Sequence, residues 1–134
     1  MAHHCLNCEA AEMVLETKDV TVSYKHLSAV VPAVTGWHCP HCGEIEFTDE
    51  ASSRRHMDAL QELAQRQRAE TRFFVKATRQ KLKLTQAAAA KIFGGGVNAF
   101  SEYERGVTQP PMATIKLLKV LDKHPDLLRE VAEA

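Results

Sequence analysis

Four cysteines in two short pairs constrain this chain more than any other feature. They stand as Cys5-Leu6-Asn7-Cys8 and Cys39-Pro40-His41-Cys42, with Gly43 directly after the second pair. A tight turn between two cysteines aims both sulfurs at one centre, and Gly43 permits the positive φ that such a turn often uses. One pair alone would leave a redox reading open. Two pairs separated by thirty residues match a tetrahedral four-thiolate zinc site.

Four thiolates close the coordination sphere, so one structural ion per chain is expected rather than a catalytic one. His38 and His41 are the alternative ligands in the same stretch. The H-x-E tripeptide of zinc deaminases does not occur in the chain. An enzyme using C-x-x-C redox chemistry or an open zinc is thus the least favoured function, and the chain is read as a non-enzyme. Segments under roughly 70–80 residues often need a metal or other staple because their core is too small. The first half fits that need.

Between the cysteine pairs lie β-branched runs, Val14-Leu15-Glu16, Val20-Thr21-Val22-Ser23-Tyr24 and Ala29-Val30-Val31, which read as short strands. Lys18-Asp19 is the candidate turn, although it lacks glycine. Pro32 belongs at an edge or bulge because it has no N–H to donate. Trp37 is expected to pack over the zinc knuckle, with Ile45 and Phe47 in one last strand. Thr48 or Asp49 can cap a helix to about Arg68, with Met57, Leu60, Leu63 and Ala64 on its apolar stripe. Its arginines, Arg54, Arg55, Arg66 and Arg68, read as a solvated face. Residues 65–72, QRQRAETR, form a candidate linker, and without Pro or Gly it can remain helical.

Charge changes sign near the same point. Residues 1–70 hold six Lys and Arg against eleven Asp and Glu, a net of −5; residues 71–134 hold eleven against six, a net of +5. The neutral total hides a basic half suited to a polyanion. No stretch approaches the roughly 20 apolar residues of a membrane span, and the N-terminus lacks a signal-peptide core, so the expected location is cytoplasmic. His3 and His4 receive no function from sequence.

The basic half is organised around residues 84–106, LTQAAAAKIFGGGVNAFSEYERG. A first helix through Phe73, Phe74, Val75, Ala77 and Leu82 ends near Lys83. Thr85 then caps a second helix to Phe93 by accepting an orphan amide. Ala87 to Ala90 are small enough for close helix crossing. Gly94-Gly95-Gly96 reverses the chain, and no G-K-S/T follows to make it a P-loop. In the third helix Val97, Phe100 and Tyr103 are expected inward, while Asn98, Ser101, Glu102 and Arg105 share the outer side.

That is the shape of a helix-turn-helix, which lays one helix in the DNA major groove. Asn98 can pair bidentately with adenine. Ser101 can reach a base or phosphate, and Arg105 can contact a phosphate or pair within the protein. Thr85 and Gln86 stand where a helix start binds phosphate through its amides. Glu102 is repelled by phosphate unless it accepts from cytosine or pairs with a basic neighbour. After the VTQPP loop, Ile115, Leu118, Val120 and Leu121 form the inner face of a fourth helix. Pro125 opens a fifth, with Leu127, Leu128 and Val131.

The two halves together resemble the MqsA family of antitoxins, which join a YgiT-type zinc finger to an XRE-type helix-turn-helix. The resemblance is carried by C-L-N-C, C-P-H-C, F-G-G-G-V-N-A-F-S at residues 93–101 and T-I-K-L-L-K-V-L-D-K-H-P at residues 114–125, and covers almost the whole chain. It implies structural zinc on Cys5, Cys8, Cys39 and Cys42, and a homodimer through the C-terminal domain. It also implies binding to palindromic operator DNA in the protein's own promoter, and an N-terminal domain that binds a protein toxin of the RNA-cleaving MqsR type. The recognition asparagine matches Asn98. A second base-reading position, often arginine in the family, matches Glu102, a reversal of charge that bears on the operator sequence.

The expected architecture is α+β: a small zinc-bound, β-rich domain with a helix over residues 1–68, then an all-α, five-helix, repressor-like domain over residues 69–134. The expected function is a type II antitoxin and autorepressor. The alternative is a zinc-containing transcriptional regulator without a toxin.

Overall fold

The structure is a computed structural model describing residues 2–134. Its architecture is α+β: a three-stranded antiparallel sheet beside a cluster of four cysteines, then five α-helices. The chain forms two compact units that divide between Gln67 and Arg68.

In the first unit β1 (Val14–Tyr24), β2 (Leu27–His38) and β3 (Ile45–Phe47) pair in the order β1-β2-β3. The expected short strands at residues 14–16 and 20–24 are one strand, and Lys18-Asp19 is not the turn. The chain reverses at Lys25, whose φ is 54°, and His26. What lies at Asp19 is a bulge, where the register shifts between Lys18 opposite Val34 and Val20 opposite Val31. Pro32 sits in that bulge, where a missing N–H costs no ladder bond. Ala33 turns to φ 49°, and its amide donates to Asp19 Oδ1 at 3.0 Å.

The sheet buries Val22, Val31 and Val34 against Leu63, with Ala59 and Leu60 alongside. These helical residues lie on α1 (Glu50–Lys81). Asp49 caps it: Oδ1 accepts from the Ser52 amide at 2.6 Å, and that bond holds its carboxyl below the usual range. Met57 does not belong to the buried stripe; it is 56% exposed. Residues 65–72 are helical within the 32 residues of α1, so no loop separates two helices there. Ala, Glu, Gln and Arg are good helix formers, and nothing in that stretch breaks the backbone ladder.

In the second unit the end of α1 packs with α2 (Gln86–Phe93), α3 (Ala99–Arg105) and α4 (Met112–Lys123). A short 3-10 turn at Pro125–Leu127 leads into α5 (Leu128–Glu133). The core is Val75, Ala89, Ala90, Ala99, Phe100, Tyr103 and Leu118, with Phe74, Leu84, Phe93 and Ile115 around it. Phe100 has Tyr103 edge-on at 5.4 Å and Phe93 tilted at 5.6 Å. Val120, expected inside, is 46% exposed; Leu118 and Leu121, three apart, define the inner face instead. Arg79 and Glu104 form an ion pair tucked between α1 and α3.

Candidate metal centre and nucleic-acid interface

The two cysteine pairs form matching knuckles. In the second, the Gly43 amide donates to the Cys39 carbonyl at 3.1 Å, with Gly43 at φ 79°. In the first, the Glu9 amide donates to the Cys5 carbonyl at 3.0 Å, with Glu9 at φ 56°. The left-handed residue expected after Cys42 therefore has a counterpart after Cys8. Its identity as glutamate concealed it, because non-glycine residues seldom adopt positive φ.

The four sulfurs lie within 4.8 Å of one another and could hold a metal ion. Cys5 and Cys42 are 3.7 Å apart, as are Cys8 and Cys39. Tetrahedral zinc with Zn–S near 2.3 Å requires sulfurs about 3.8 Å apart, so the donor set and its spacing fit zinc. His38 is not in the cluster; its Nε2 lies 3.0 Å from the Val34 carbonyl, and the side chain is buried. His41 is exposed and outside the cluster.

Local donors set the charge of the sulfurs. The Cys42 amide, with help from that of His41, pulls Cys39 down to about 6 against the effect of burial. Cys42 is lowered by the Asn7 side chain, whose Nδ2 donates to its sulfur at 3.6 Å. The Ala10 amide favours the Cys8 thiolate, yet burial and the three neighbouring sulfurs leave Cys8 at about 11. Asn7 is thus a neighbour of the cysteine cluster that was not among the expected site residues; the signal for it in the sequence is a donor side chain inside the C-x-x-C turn.

Trp37 packs with Cys5, Met13 and Cys39, as expected. Its outer face carries His3, stacked at 4.1 Å and 8°. The His3 Nε2 meets Glu46 at 2.5 Å. His3 thus links the segment before Cys5 to β3.

The second candidate site is α2, the glycine turn and α3. Thr85 caps α2 with its side chain accepting from the Ala88 amide at 3.0 Å. Gln86 is the first residue of that helix and half-buried. Gly94, Gly95 and Gly96 have φ of 85°, 94° and 93°, dihedrals that three successive L-residues would adopt only at a cost of a kcal/mol or more each. Asn98 holds the N-cap position of α3, yet its side chain makes no capping bond and is exposed.

Ser101 Oγ accepts from Arg105 Nε at 3.2 Å, and Glu102 Oε2 accepts from the Thr108 hydroxyl at 3.3 Å. Glu102 is half-buried and holds the following loop through that bond. Val97, expected inside, is 74% exposed and borders an open apolar hollow of about 580 Å³ with Ala87, Ala88 and Lys91. It precedes the helix, so the inward period begins at Ala99 and Phe100 rather than at Val97.

No helix of the described residues is long and apolar enough to cross a membrane. The profile of a family described as the antitoxin component of a bacterial toxin–antitoxin system, MqsA, matches residues 3–132. The chain is also 43% identical over 129 residues to the antitoxin MqsA of Escherichia coli (strain K12), covering 95% of this chain and 98% of that protein. With a cysteine cluster, a three-stranded sheet and a helical unit in one chain, and a match of this extent, the chain belongs to the MqsA family of antitoxins of bacterial toxin–antitoxin systems.

Proposed function

We propose that this chain is an antitoxin that neutralises a protein toxin through its N-terminal unit and represses its own operon through its C-terminal unit. The observation that carries the DNA half is Asn98. It heads a short helix behind a three-glycine turn, exposed and with no capping bond to occupy it. An amide in that position can donate to N7 or accept from N6 of adenine in the major groove. Arg105 and the capped start of α2 at Thr85 and Gln86 supply phosphate contacts, and Ser101 a base or phosphate contact. Glu102 shares the reading helix and holds Thr108. A carboxylate there suits a cytosine N4 donor and disfavours guanine, so it alters the operator sequence.

Zinc on Cys5, Cys8, Cys39 and Cys42 would supply rigidity: a closed tetrathiolate centre that joins two knuckles and offers no position for substrate. The chain's own groups do the rest. Asn7 and the amides of Ala10 and Cys42 donate to the sulfurs, and Trp37 covers one side.

The toxin half is supported by the family and by charge. A net of −5 over residues 1–70 complements a basic, RNA-cleaving partner of the MqsR type. A homodimer through the C-terminal unit matches the two-fold symmetry of a palindromic operator.

Two measurements test the reading together. The full chain is mixed with DNA from immediately upstream of its gene and, separately, with the product of the adjacent open reading frame. Binding to both at micromolar concentration or below is expected. Binding to DNA without a protein complex would reassign the chain as a zinc-containing regulator with no toxin. Failure to bind that DNA in preference to scrambled duplex removes the repressor function.

A further inference from the structure

We infer that Arg72 is a phosphate-contacting residue of the DNA interface, supplied by α1 rather than by the two short helices. The inference rests on the DNA-binding reading above and extends it to a side chain outside the helix-turn-helix.

The argument begins at Gly106. This residue ends α3 at φ 77°, with its amide bonded back to the carbonyls of Glu102 and Tyr103. The space where a Cβ would stand is filled by Arg72: Nη1 lies 2.7 Å and Cδ 2.8 Å from that position. Arg72 therefore lies directly against the last turn of α3, the helix whose first turn carries Asn98. An independent contact puts the same face of α1 there. Arg79 stands seven residues further on, about two turns and so on the same side. It grips Glu104, two residues before Gly106.

The two arginines differ in what they have left to offer. Arg79 is only 13% exposed, and its donors go to Glu104 and to the Leu84 carbonyl. Arg72 is exposed and has no ion pair or hydrogen bond among the described residues. A guanidinium carries five donors and stays charged. Held against a glycine, it loses little further rotamer freedom when it meets an anion. Exposed Arg105 lies in the turn beside it, with its Nε on Ser101. Two cations at the end of a groove-reading helix suit backbone phosphate, the contact that sets register without reading sequence.

A purely structural role is the competing account: a cation beside the C-terminal carbonyls of a helix is favourable by itself. Salt dependence separates the two. Each phosphate contact adds about 0.9 to the slope of log affinity against log salt.

The full chain and Arg72→Gln are titrated by fluorescence anisotropy against two duplexes, one from immediately upstream of the gene and one scrambled. Salt is varied from 50 to 200 mM. Arg72→Gln is expected to weaken both duplexes by a similar factor and to lower the slope by about 0.9 per chain in contact, so that wild type loses about 3.5-fold more affinity per chain over that range. Arg72→Lys is expected to restore most of the slope. An unchanged slope in Arg72→Gln, with wild type binding normally, overturns the inference and leaves the DNA reading standing. A loss that Arg72→Lys does not restore assigns the residue to packing on Gly106 and overturns it too. Wild type that binds neither duplex removes the DNA reading and this contact with it.

Discussion

Arg79 holds Glu104 through two parallel hydrogen bonds, Nε to Oε2 at 2.9 Å and Nη2 to Oε1 at 2.8 Å. The third contact, Nη1 to the Leu84 carbonyl at 2.9 Å, ties the same guanidinium to the loop before α2. One side chain on α1 thus fixes both the entry to α2 and the end of α3. Hydrogen bonds to Glu104 also hold the guanidinium protonated more firmly than usual, against burial. Glu104→Ala leaves that cation without its counter-charge and is expected to destabilise the C-terminal unit by about 3 kcal/mol. Urea denaturation followed by helix content checks the value; a change under about 1 kcal/mol would place the pair with ordinary surface ion pairs.

Gly36 pairs with Phe47 across β2 and β3 and has no room for a side chain. A Cβ on it would stand 2.4 Å from the Glu46 carbonyl oxygen and 3.1 Å from the Phe47 Cα. Both are backbone atoms and cannot turn aside. Gly36→Ala is expected to cost about 1–3 kcal/mol, as overpacking does elsewhere. Hydrogen exchange should show the loss first at the amides pairing β2 with β3, and uniform protection in the variant would contradict it.

Metal and protons compete for the cysteine cluster. In the metal-free chain at about pH 7.5, Cys39, with its value near 6, is already a thiolate, while Cys8, near 11, keeps its proton. Zinc uptake at that pH is therefore expected to release fewer than four protons per ion, measurable with an indicator dye in weak buffer. The sign for acid follows from the lowered Cys39 value. Its thiolate persists as pH falls until about 6, and metal affinity drops more steeply below that point. Chelation should remove amide protection from residues near the knuckles before it affects α2 to α4. Equal, simultaneous loss in both units would show that the metal supports more than the first.

Asn98 and Thr85 both stand at N-cap positions, yet only Thr85 makes a side-chain capping bond. Thr85→Ala is expected to cost about 1 kcal/mol of stability. Asn98→Ala should leave the melting transition nearly unchanged and weaken operator binding by about 1–3 kcal/mol if the amide pairs with a base. The pair of variants separates fold from recognition. An Asn98→Ala chain that binds operator with unchanged affinity and selectivity would sink the base-reading role.

Much of this was legible in local sequence because the physics is local. The knuckles depend on two-residue spacing and a residue with positive φ. The cap at Thr85 and the reversal at residues 94–96 depend on side-chain reach and on glycine's freedom. Each of these is decided within a few residues. Pro32 is similar: a missing amide predicts an edge or a bulge before any partner strand is known, and pairing with β1 makes it a bulge.

What local pattern did not reveal depends on partners far along the chain. Glu9 could not be recognised as the counterpart of Gly43, since its backbone geometry is imposed by closing the first knuckle. Lys18-Asp19 resembled a turn, but pairing with β2 keeps it extended and moves the reversal to Lys25 and His26. Val97 and Val120 fitted an apolar period and face outward, because the actual phase is set by Phe100 and Leu118 in the core.

The sequence by itself determined the elements that chemistry writes into neighbouring residues: two thiolate pairs, a capped helix, a glycine reversal and the asparagine after it. Only tertiary structure decided which side chains are spent on the fold and which remain free. Arg79 is engaged by Glu104 and His38 by Val34. Asn98 has no capping bond, and Arg72 stands exposed against Gly106. A residue's type sets what bonds it can make; which of them remain for a ligand depends on partners that folding brings from elsewhere in the chain.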